Sequence, residues 1–193
     1  AEQVRQAAER VRKMGFSLGL QMMTGLPGDT PEGAWYTARE LAALSPAEMR
    51  IYPTVVLEGT RLGGWYRQGL YQPPGVGESV PLCAGLLEYL EGQGIRVSRL
   101  GLHASRSLEE RLLAGAYHPA FRELCEGHLL VQRLLSQLDG MAPRSVTVRL
   151  NPRDRSKFTG PHRKNLSRLA ELGWQVTLLE DRQIPAGSLQ PEQ

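Results

Sequence analysis

Cysteine is scarce in this chain, with only Cys83 and Cys125 among 193 residues. Two cysteines are too few for a disulfide scaffold, and they lie too far apart in sequence for a metal-binding cluster. Long apolar runs are missing as well, so no helix is predicted to cross a bilayer and we expect no membrane partner. These absences predict a reducing, cytoplasmic setting.

The composition also excludes extensive disorder. Hydrophobic residues make up 41% of the chain and charged residues 22%, as in ordinary globular proteins. A helical pattern is already under way at the first residues, because Val4, Ala7, Ala8 and Val11 recur at helical spacing. We therefore expect the chain to be a piece of a longer protein, with functional residues upstream of residue 1.

The net charge of +3 is unevenly distributed. Residues 1–117 carry 12 basic and 12 acidic side chains, whereas residues 118–193 carry 11 basic and 8 acidic ones. Within residues 144–168 there are 8 basic side chains and 1 acidic one, Asp154. Segregation of this kind is compatible with an anionic partner, such as nucleic acid or a phosphorylated ligand, but does not by itself favour one. A solvated basic surface without a ligand is the alternative.

Helices and strands are predicted to alternate in residues 1–117. The predicted strands cover 16–23, 49–56 and 95–102, and the predicted helices end at Met14 or cover 31–44, 80–93 and 107–113, the last capped by Ser107. Each of the first two strands is apolar on both faces and is separated from the next strand by a helix. Parallel pairing with right-handed crossovers is therefore expected.

Residues 118–193 are predicted to form a second, smaller α/β domain. The pattern predicts a helix over 120–138, a strand over 145–150, a helix over 162–172 and a strand over 174–179. A polar, basic loop over 151–160 follows the first of these strands. The last dozen residues are predicted to be a tail.

Two segments at predicted strand ends are candidates for ligand binding. In GLQMMTGLPGDT, residues 19–30, a buried strand runs into a glycine–proline turn, at the end of the strand where α/β sheets and barrels bind ligands. In MRIYPTVVLEGTRL, residues 49–62, Arg50 and Tyr52 lie on one side of the strand. A buried arginine needs an anionic partner. The alternatives are an ordinary strand-to-helix connection and a salt-bridged arginine.

Three motifs occur in order: GLPGDT at 25–30, RIYPTVVLEGTRL at 50–62 and WYRQGLY at 65–71. Together they resemble the second half of a radical SAM barrel, most closely in the elongator catalytic subunit and its bacterial relatives, some of them labelled oxygen-independent coproporphyrinogen III oxidase-like. The resemblance covers residues 1–117, and SKFTGPHRKN at 156–165 resembles the C-terminal extension of the bacterial relatives. It implies a partial parallel (β/α) barrel, residues 1–117, followed by a small α/β C-terminal domain, residues 118–193.

The resemblance also implies cofactors for the parent protein. In this family a CxxxCxxC motif in the first half of the barrel holds a 4Fe–4S cluster, at which S-adenosylmethionine is cleaved to a 5′-deoxyadenosyl radical. This chain has no such triplet, so we expect the motif in a missing N-terminal half of the barrel. The chain alone is expected to hold no cofactor and to be inactive. Its expected partners are that missing half and, through exposed barrel edges, a second copy of itself.

By the same resemblance, seven residues line the S-adenosylmethionine site: Gln21, Thr24, Gly25, Arg50, Tyr52, Pro53 and Val55. Gln21 takes the position of a polar residue against the ribose, and Arg50 is a candidate for the carboxylate. The backbone from Tyr52 to Val55 would lie beside the adenine. For Gln21, a hydrogen-bonded polar residue inside a barrel is the alternative.

Six residues form a candidate phosphate site around the helix start predicted at residue 162: Arg153, Arg155, Lys157, His162, Arg163 and Lys164. The resemblance leaves open whether the parent protein modifies a tetrapyrrole or RNA. Two alternatives to an enzymatic role stay open: residues 118–193 are an RNA- or phosphate-binding module, or the chain is structural and mediates self-association.

Overall fold

The alternation of helix and strand is present in the structure, a computed structural model that describes residues 2–192. Contacts within the chain divide it into two compact units, residues 1–122 and 123–193. No helix within residues 2–192 is both long enough and apolar enough to cross a membrane. Each unit has its own sheet and its own buried side chains, so each is described separately.

The first unit contains five helices and five strands among its described residues: α1 (Glu2–Lys13), β1 (Gly19–Thr24), α2 (Pro31–Ala42), β2 (Glu48–Pro53), β3 (Val55–Leu57), α3 (Arg61–Arg67), α4 (Val76–Gly92), β4 (Arg96–Leu100), α5 (Arg106–Arg111) and β5 (Leu112–Gly115). The start of α2 is dictated locally, because the Thr30 side chain accepts a hydrogen bond from Gly33 N at 3.1 Å and Pro31 occupies the first turn.

Strands β1, β2 and β4 form a parallel sheet in the order β1-β2-β4. Helix α2 packs on β1, α4 packs on β4, and the two helices contact each other. The side chains between helices and sheet are buried, among them Met22, Met49, Ile51, Val97 and Leu86. The α/β class and the parallel sheet are thereby confirmed, whereas a partial barrel stays a prediction.

The strand predicted over 49–56 is divided into β2 and β3. Pro53 has no N–H group to donate, and the next residue, Thr54, donates both its backbone N–H and its hydroxyl to Thr24 O, at 2.9 and 2.7 Å. The chain then turns into β3, which pairs antiparallel with β5. The expected helix over 107–113 is also shorter, because Ser105 rather than Ser107 caps α5 and residues 112–115 pair as β5.

The second unit follows the start of α6 (Phe121–Gln137) and contains β6 (Ser145–Leu150), α7 (Arg155–Thr159), α8 (Lys164–Glu171), β7 (Gln175–Glu180) and β8 (Leu189–Glu192), with short 3-10 turns at Pro152–Asp154 and Pro161–Arg163. Its sheet has the order β7-β6-β8, in which β6 pairs parallel with β7 and antiparallel with β8. The core of this unit includes Leu134, Val148, Leu150, Phe158 and Leu169.

Three local expectations for this unit are wrong. The last residues are not a tail, because β8 pairs with β6 and buries Leu189. The basic loop over 151–160 folds into a 3-10 turn and α7, with Phe158 fully buried. The last helix begins at Lys164 rather than at His162, because His162 and Arg163 both have left-handed backbones, with φ of 49° and 60°.

Candidate functional site

The turn after β1 is held by Asp29 within the turn and by Tyr71 and Pro74 from the connection between α3 and α4. Gly25 has a φ of +76°, and a β-carbon at this position would lie 3.0 Å from Cδ of Pro74. Its N–H donates to Oδ2 of Asp29 at 2.9 Å, and its carbonyl accepts a hydrogen bond from the Tyr71 hydroxyl. Burial and the Asp29 charge raise the pKa of Tyr71, so its hydroxyl keeps the proton that it donates.

A buried polar cluster lies on the helix-covered side of the same strand end. Thr24 is 3% exposed, and its hydroxyl lies 3.8 Å from Sγ of Cys83. Burial raises the pKa of Cys83 to about 11, which keeps the sulfur as a neutral thiol at neutral pH. Thr54 closes the cluster by donating to the Thr24 carbonyl. Polar groups are satisfied here by the protein itself, so this side of β1 is built for stability.

The opposite side of the sheet is open to solvent. Gln21 and Met23 are exposed on β1, and the parallel register pairs Gln21 with Arg50 and Met23 with Tyr52. Residues paired in register project from the same face, so three of the predicted cofactor residues, Gln21, Arg50 and Tyr52, share one surface. We call this the open face.

Arg50 was expected to be buried, and that expectation is wrong. Its side chain is 50% exposed, and its ion pair is with Glu48 on the same strand, Nη2 to Oε1 at 3.4 Å. Glu48 also pairs with Arg96 on β4. Because Glu48 lies two residues before Arg50 and is paired in register with Arg96, all three side chains belong to the open face, with Glu48 and Arg96 at the amino ends of their strands and Arg50 in the middle of β2.

The other predicted cofactor residues lie off the open face. Thr24 and Pro53 are paired in register and are both buried on the helix-covered side. Val55 belongs to β3 and pairs with Gly115 of β5. Gly25 lies in the turn at the carboxyl ends of the strands. The structure thus brings Gln21, Arg50 and Tyr52 together and places the rest around the strand ends, without testing their proposed contacts to a ligand.

Sequence reasoning missed Met23 and Glu48 on the open face and Asp29 in the turn after β1. Thr54 and Tyr71 lie in the motifs singled out above, but their contacts with Thr24 and Gly25 are not predicted by them. The even spacing of Met23 from Gln21 and of Glu48 from Arg50 is the signal that finds the first two, since alternate residues of a strand share a face. No local signal finds the contact of Tyr71, which reaches Gly25 across 46 residues of sequence.

The predicted basic site in the second unit is divided by ion pairs. The Lys157 ammonium lies 2.9 Å from Glu126 and 3.0 Å from Asp154, which is 1% exposed. Burial lowers the pKa of Lys157, but the hydrogen bonds to these two carboxylates outweigh it and raise the pKa. Arg155 lies 3.3 Å from Glu180. Lys157 is therefore part of the fold.

The remaining members of the basic site are exposed, namely Arg153, His162, Arg163 and Lys164. Within residues 2–192, no ion pair involves any of these four side chains. They lie between the end of β6 at Leu150 and the first residue of α8, Lys164.

The donor groups of this chain do not fit a 4Fe–4S cluster. Such a cluster is held by several thiolates, whereas Cys83 and Cys125 are both buried and belong to different units. Residues 2–192 contain no group of three or more His, Cys, Asp or Glu side chains able to hold a metal ion. The open face does offer groups that suit a nucleoside ligand: an amide, a guanidinium and an aromatic ring.

Comparisons with known proteins identify relatives of this chain. Residues 46–130 match the protein family described as the Radical_SAM C-terminal domain. A tRNA uridine(34) acetyltransferase of Dehalococcoides mccartyi is 33% identical over 100 residues, which are 50% of this chain and 22% of that protein. An uncharacterized protein of Methanocaldococcus jannaschii is 31% identical over 84 residues, 44% of this chain and 26% of that protein. The chain thus spans about a quarter of the length of these relatives.

A solved structure is similar in fold. The archaeal Methanocaldococcus infernus Elp3 with an N-terminal deletion (1–46) superposes with a TM-score of 0.59 and 19% identity, covering 74% of this chain and 36% of that one. The predicted resemblance to the radical SAM family and to its elongator-like branch is confirmed by these comparisons. The coproporphyrinogen oxidase-like assignment stays a prediction.

Proposed function

We propose that this chain is the C-terminal part of a radical SAM protein that modifies tRNA in the cytoplasm. In this proposal, the sheet β1-β2-β4 completes a barrel whose first half is supplied by preceding residues of the parent protein. The observation that carries the proposal is the open face, because helices cover the sheet on one side only and leave Gln21 and Arg50 exposed and Tyr52 half-buried on the other.

The polar character of the open face supports a ligand there. The ordered Gly25 turn lies at the carboxyl end of β1, which is the end of the strands where α/β sheets and barrels bind ligands. We infer that Gln21 hydrogen-bonds the S-adenosylmethionine ribose and that the Arg50 guanidinium, held loosely by Glu48 at 3.4 Å, turns to its carboxylate.

The chain's own residues do not supply cluster ligands, so we assign those to the missing half of the barrel. When bound there, the cluster and S-adenosylmethionine supply a 5′-deoxyadenosyl radical. By this assignment the isolated chain is inactive. The edges of its sheet would pair with strands of the rest of the barrel in the parent protein. Among the possible substrates, tRNA is favoured over a porphyrinogen because a tRNA uridine(34) acetyltransferase is among the relatives.

The test uses the parent protein, purified without oxygen, and measures S-adenosylmethionine affinity and 5′-deoxyadenosine formation. Gln21→Ala should weaken binding by about 1–2 kcal/mol, the cost of one hydrogen bond whose partner is left unsatisfied. Gln132→Ala, an exposed glutamine on α6 in the second unit, is the matched control and should bind like the wild type.

Two results would contradict the proposal. Unchanged affinity in both Gln21→Ala and Arg50→Ala would show that the open face does not hold S-adenosylmethionine. Cleavage stimulated by a porphyrinogen and unaffected by tRNA would show that the substrate assignment is wrong.

A further inference from the structure

The second unit contains a strand–helix–helix–strand arrangement that the sequence analysis did not predict. Strand β6, helices α7 and α8, and strand β7 follow one another, and β6 pairs in parallel with β7 from Ser145–Gln175 to Leu150–Glu180. Because the two strands are parallel, the loops that leave them, after Leu150 and after Glu180, emerge at one end of the sheet. We call this end the basic edge.

A cavity of about 490 Å³ lies at the basic edge, lined by Asn151, Pro152, Arg153 and Arg182. The carboxyl ends of adjacent parallel strands are the usual ligand position in open α/β sheets. The two loops are tied together, since Asn151 Nδ2 donates to Ile184 O at 2.9 Å and Asp181 N donates to Leu150 O at 2.9 Å. The cavity is therefore a built feature of the unit, and its two charged lining residues are both arginines.

The fold neutralises some cations near this edge and leaves others exposed. Arg149 pairs with Asp181 and Glu192, Arg155 with Glu180, and Lys157 with Asp154 and Glu126. In contrast, no ion pair within the described part of the chain involves four exposed side chains: Arg153, Arg163, Lys164 and Arg182. A surface that keeps four cations without carboxylate partners suits a polyanion.

The connection between α7 and α8 adds a specific shape. Its four residues, Gly160 to Arg163, begin with a glycine at φ +72° and end with two left-handed residues. Asn165, which follows the loop, is bonded to α7, which precedes it: its side-chain amide donates to the carbonyls of Lys157 and Phe158, at 3.2 and 3.0 Å. KH modules use a short loop between two helices, opened and closed by glycine, to clamp the backbone of single-stranded nucleic acid. Arg163 stands where that loop has its second glycine and keeps the left-handed backbone.

We propose that the basic edge binds the sugar–phosphate backbone of single-stranded RNA, with Arg153 and Arg182 in the cavity and Arg163 and Lys164 beside the α7–α8 loop contacting phosphates. RNA as the ligand rests on the proposed function. The site deepens that function by assigning substrate recognition to the second unit, separately from the open face of the first unit. The proposed S-adenosylmethionine contacts all lie in the first unit, whereas the Asn151–Arg182 cavity and the α7–α8 loop lie in the second.

The experiment measures binding of the 193-residue chain to a fluorescein-labelled single-stranded RNA oligonucleotide by anisotropy over a series of salt concentrations. Two charge reversals test the site, Arg163→Glu with Lys164→Glu and Arg153→Glu with Arg182→Glu. Each pair should weaken binding by about tenfold or more and lower the salt slope by about 0.7 for each lost phosphate contact. Arg10→Glu with Arg106→Glu, two exposed arginines of the first unit, changes the net charge equally and should retain wild-type affinity.

A further variant tests whether a change of charge alone, without a change of loop conformation, weakens RNA binding. Because asparagine and aspartate tolerate left-handed backbones, His162→Asp keeps the loop conformation while placing a negative charge in it. This variant should bind RNA more weakly at an unchanged melting temperature.

Several results would overturn the proposal. These are absence of wild-type binding at low salt, equal losses in the site and control variants, equal affinity for duplex RNA, or displacement of the RNA by inorganic phosphate at equal concentration. The proposed function fails by different measurements, since loss of S-adenosylmethionine binding at the open face leaves the RNA affinity of the basic edge unaffected.

Discussion

Gly25 shows how a single residue fixes the end of the candidate site. Its left-handed backbone favours glycine, and the space beside its α-carbon is filled by Pro74. Gly28 in the same turn has a similar φ of +80° but nothing within 4 Å of an added β-carbon. The pair therefore separates backbone strain from crowding.

Gly25→Ala is predicted to destabilise the chain more than Gly28→Ala. Both variants carry the left-handed strain of about 1–2 kcal/mol, and Gly25→Ala adds the contact with Pro74. Urea unfolding followed by circular dichroism measures the difference. An equal loss of unfolding free energy in the two variants would contradict this prediction. It would show that Pro74 can move away from an added β-carbon at residue 25 without destabilising the chain.

Because the Cys83 thiol is buried, we predict that the free energy of unfolding of the chain falls at alkaline pH. Burial raises the pKa of its thiol from 9.0 to about 11 in the folded chain. The unfolded chain therefore loses this proton first, and the thiol's contribution to stability, complete below pH 9, is lost as the pH rises towards 11. The loss approaches about 1.4 kcal/mol per pH unit in that range.

The measurement compares the free energy of unfolding of the wild type and Cys83→Ala from neutral pH to about pH 11. The variant removes the thiol, so its stability should fall less steeply above pH 9 whatever its absolute stability. Parallel curves would contradict burial of a neutral thiol beside Thr24.

At the scale of elements, residue patterns predict the helices and parallel strands well where the signal is local. Thr30 and Pro31 indicate the start of α2. The expectation that both faces of β1 and β2 are apolar and buried is wrong, because alternation buries Met22 and Ile51 on one face and leaves Gln21 and Arg50 exposed on the other. The same alternation made the shared face of Arg50 and Tyr52 predictable. Its exposure was not, because sequence does not reveal which face the helices cover.

Elements that depend on distant partners escaped prediction. Strand β5 exists because Gly115, with φ +107°, allows the backbone of Thr54 and Val55 to approach it closely. The ion pairs of Lys157 depend on Glu126 in α6, 31 residues earlier. No pattern within a local window contains such contacts, so Lys157 and Arg155 looked equivalent to Arg163 and Lys164.

Strand β8 gives an element-scale prediction. Leu189 is 9% exposed and joins the core of the second unit, whereas Gln190 on the same strand is exposed. Leu189→Ala should cost about 2–4 kcal/mol through lost burial and the cavity left behind. Gln190→Ala is the matched control and should change stability by less than about 0.5 kcal/mol. If both variants unfold like the wild type, residues 189–192 do not pack as β8.

Lys157 and Lys164 form another matched pair, because both are lysines of the predicted basic site. Lys157→Gln leaves the buried Asp154 carboxylate without its cation and should cost about 3 kcal/mol. Lys164→Gln should change stability by less than about 0.5 kcal/mol, since this side chain is exposed. Thermal or urea unfolding measures the stability of both variants. An equal loss of stability in the two would contradict the division of the basic site into structural and exposed cations.

At the scale of the whole molecule, the chemistry of this chain is divided between two units. The first unit presents the open face, where the proposed cofactor contacts lie. The family match over residues 46–130 includes Arg50 and Tyr52 of this face but not Gln21. The second unit presents the basic edge, where the exposed Arg153 and Arg182 line a cavity. With a cofactor surface and an RNA surface on separate units, one protein could bind RNA at the basic edge without blocking the cofactor site on the open face.

The last prediction concerns the chain by itself. Reconstituted with iron and sulfide in the absence of oxygen, it should develop no cluster absorbance near roughly 400 nm. The reason is structural: its two cysteines are buried in different units, and Cys83 keeps its proton until the pH is well above neutral. Cys83→Ala with Cys125→Ala is the control and should give the same spectrum as the wild type. Stoichiometric incorporation of a 4Fe–4S cluster that this double variant abolishes would place the ligands within this chain, and the assignment of the cluster to a missing half of the barrel would then be wrong.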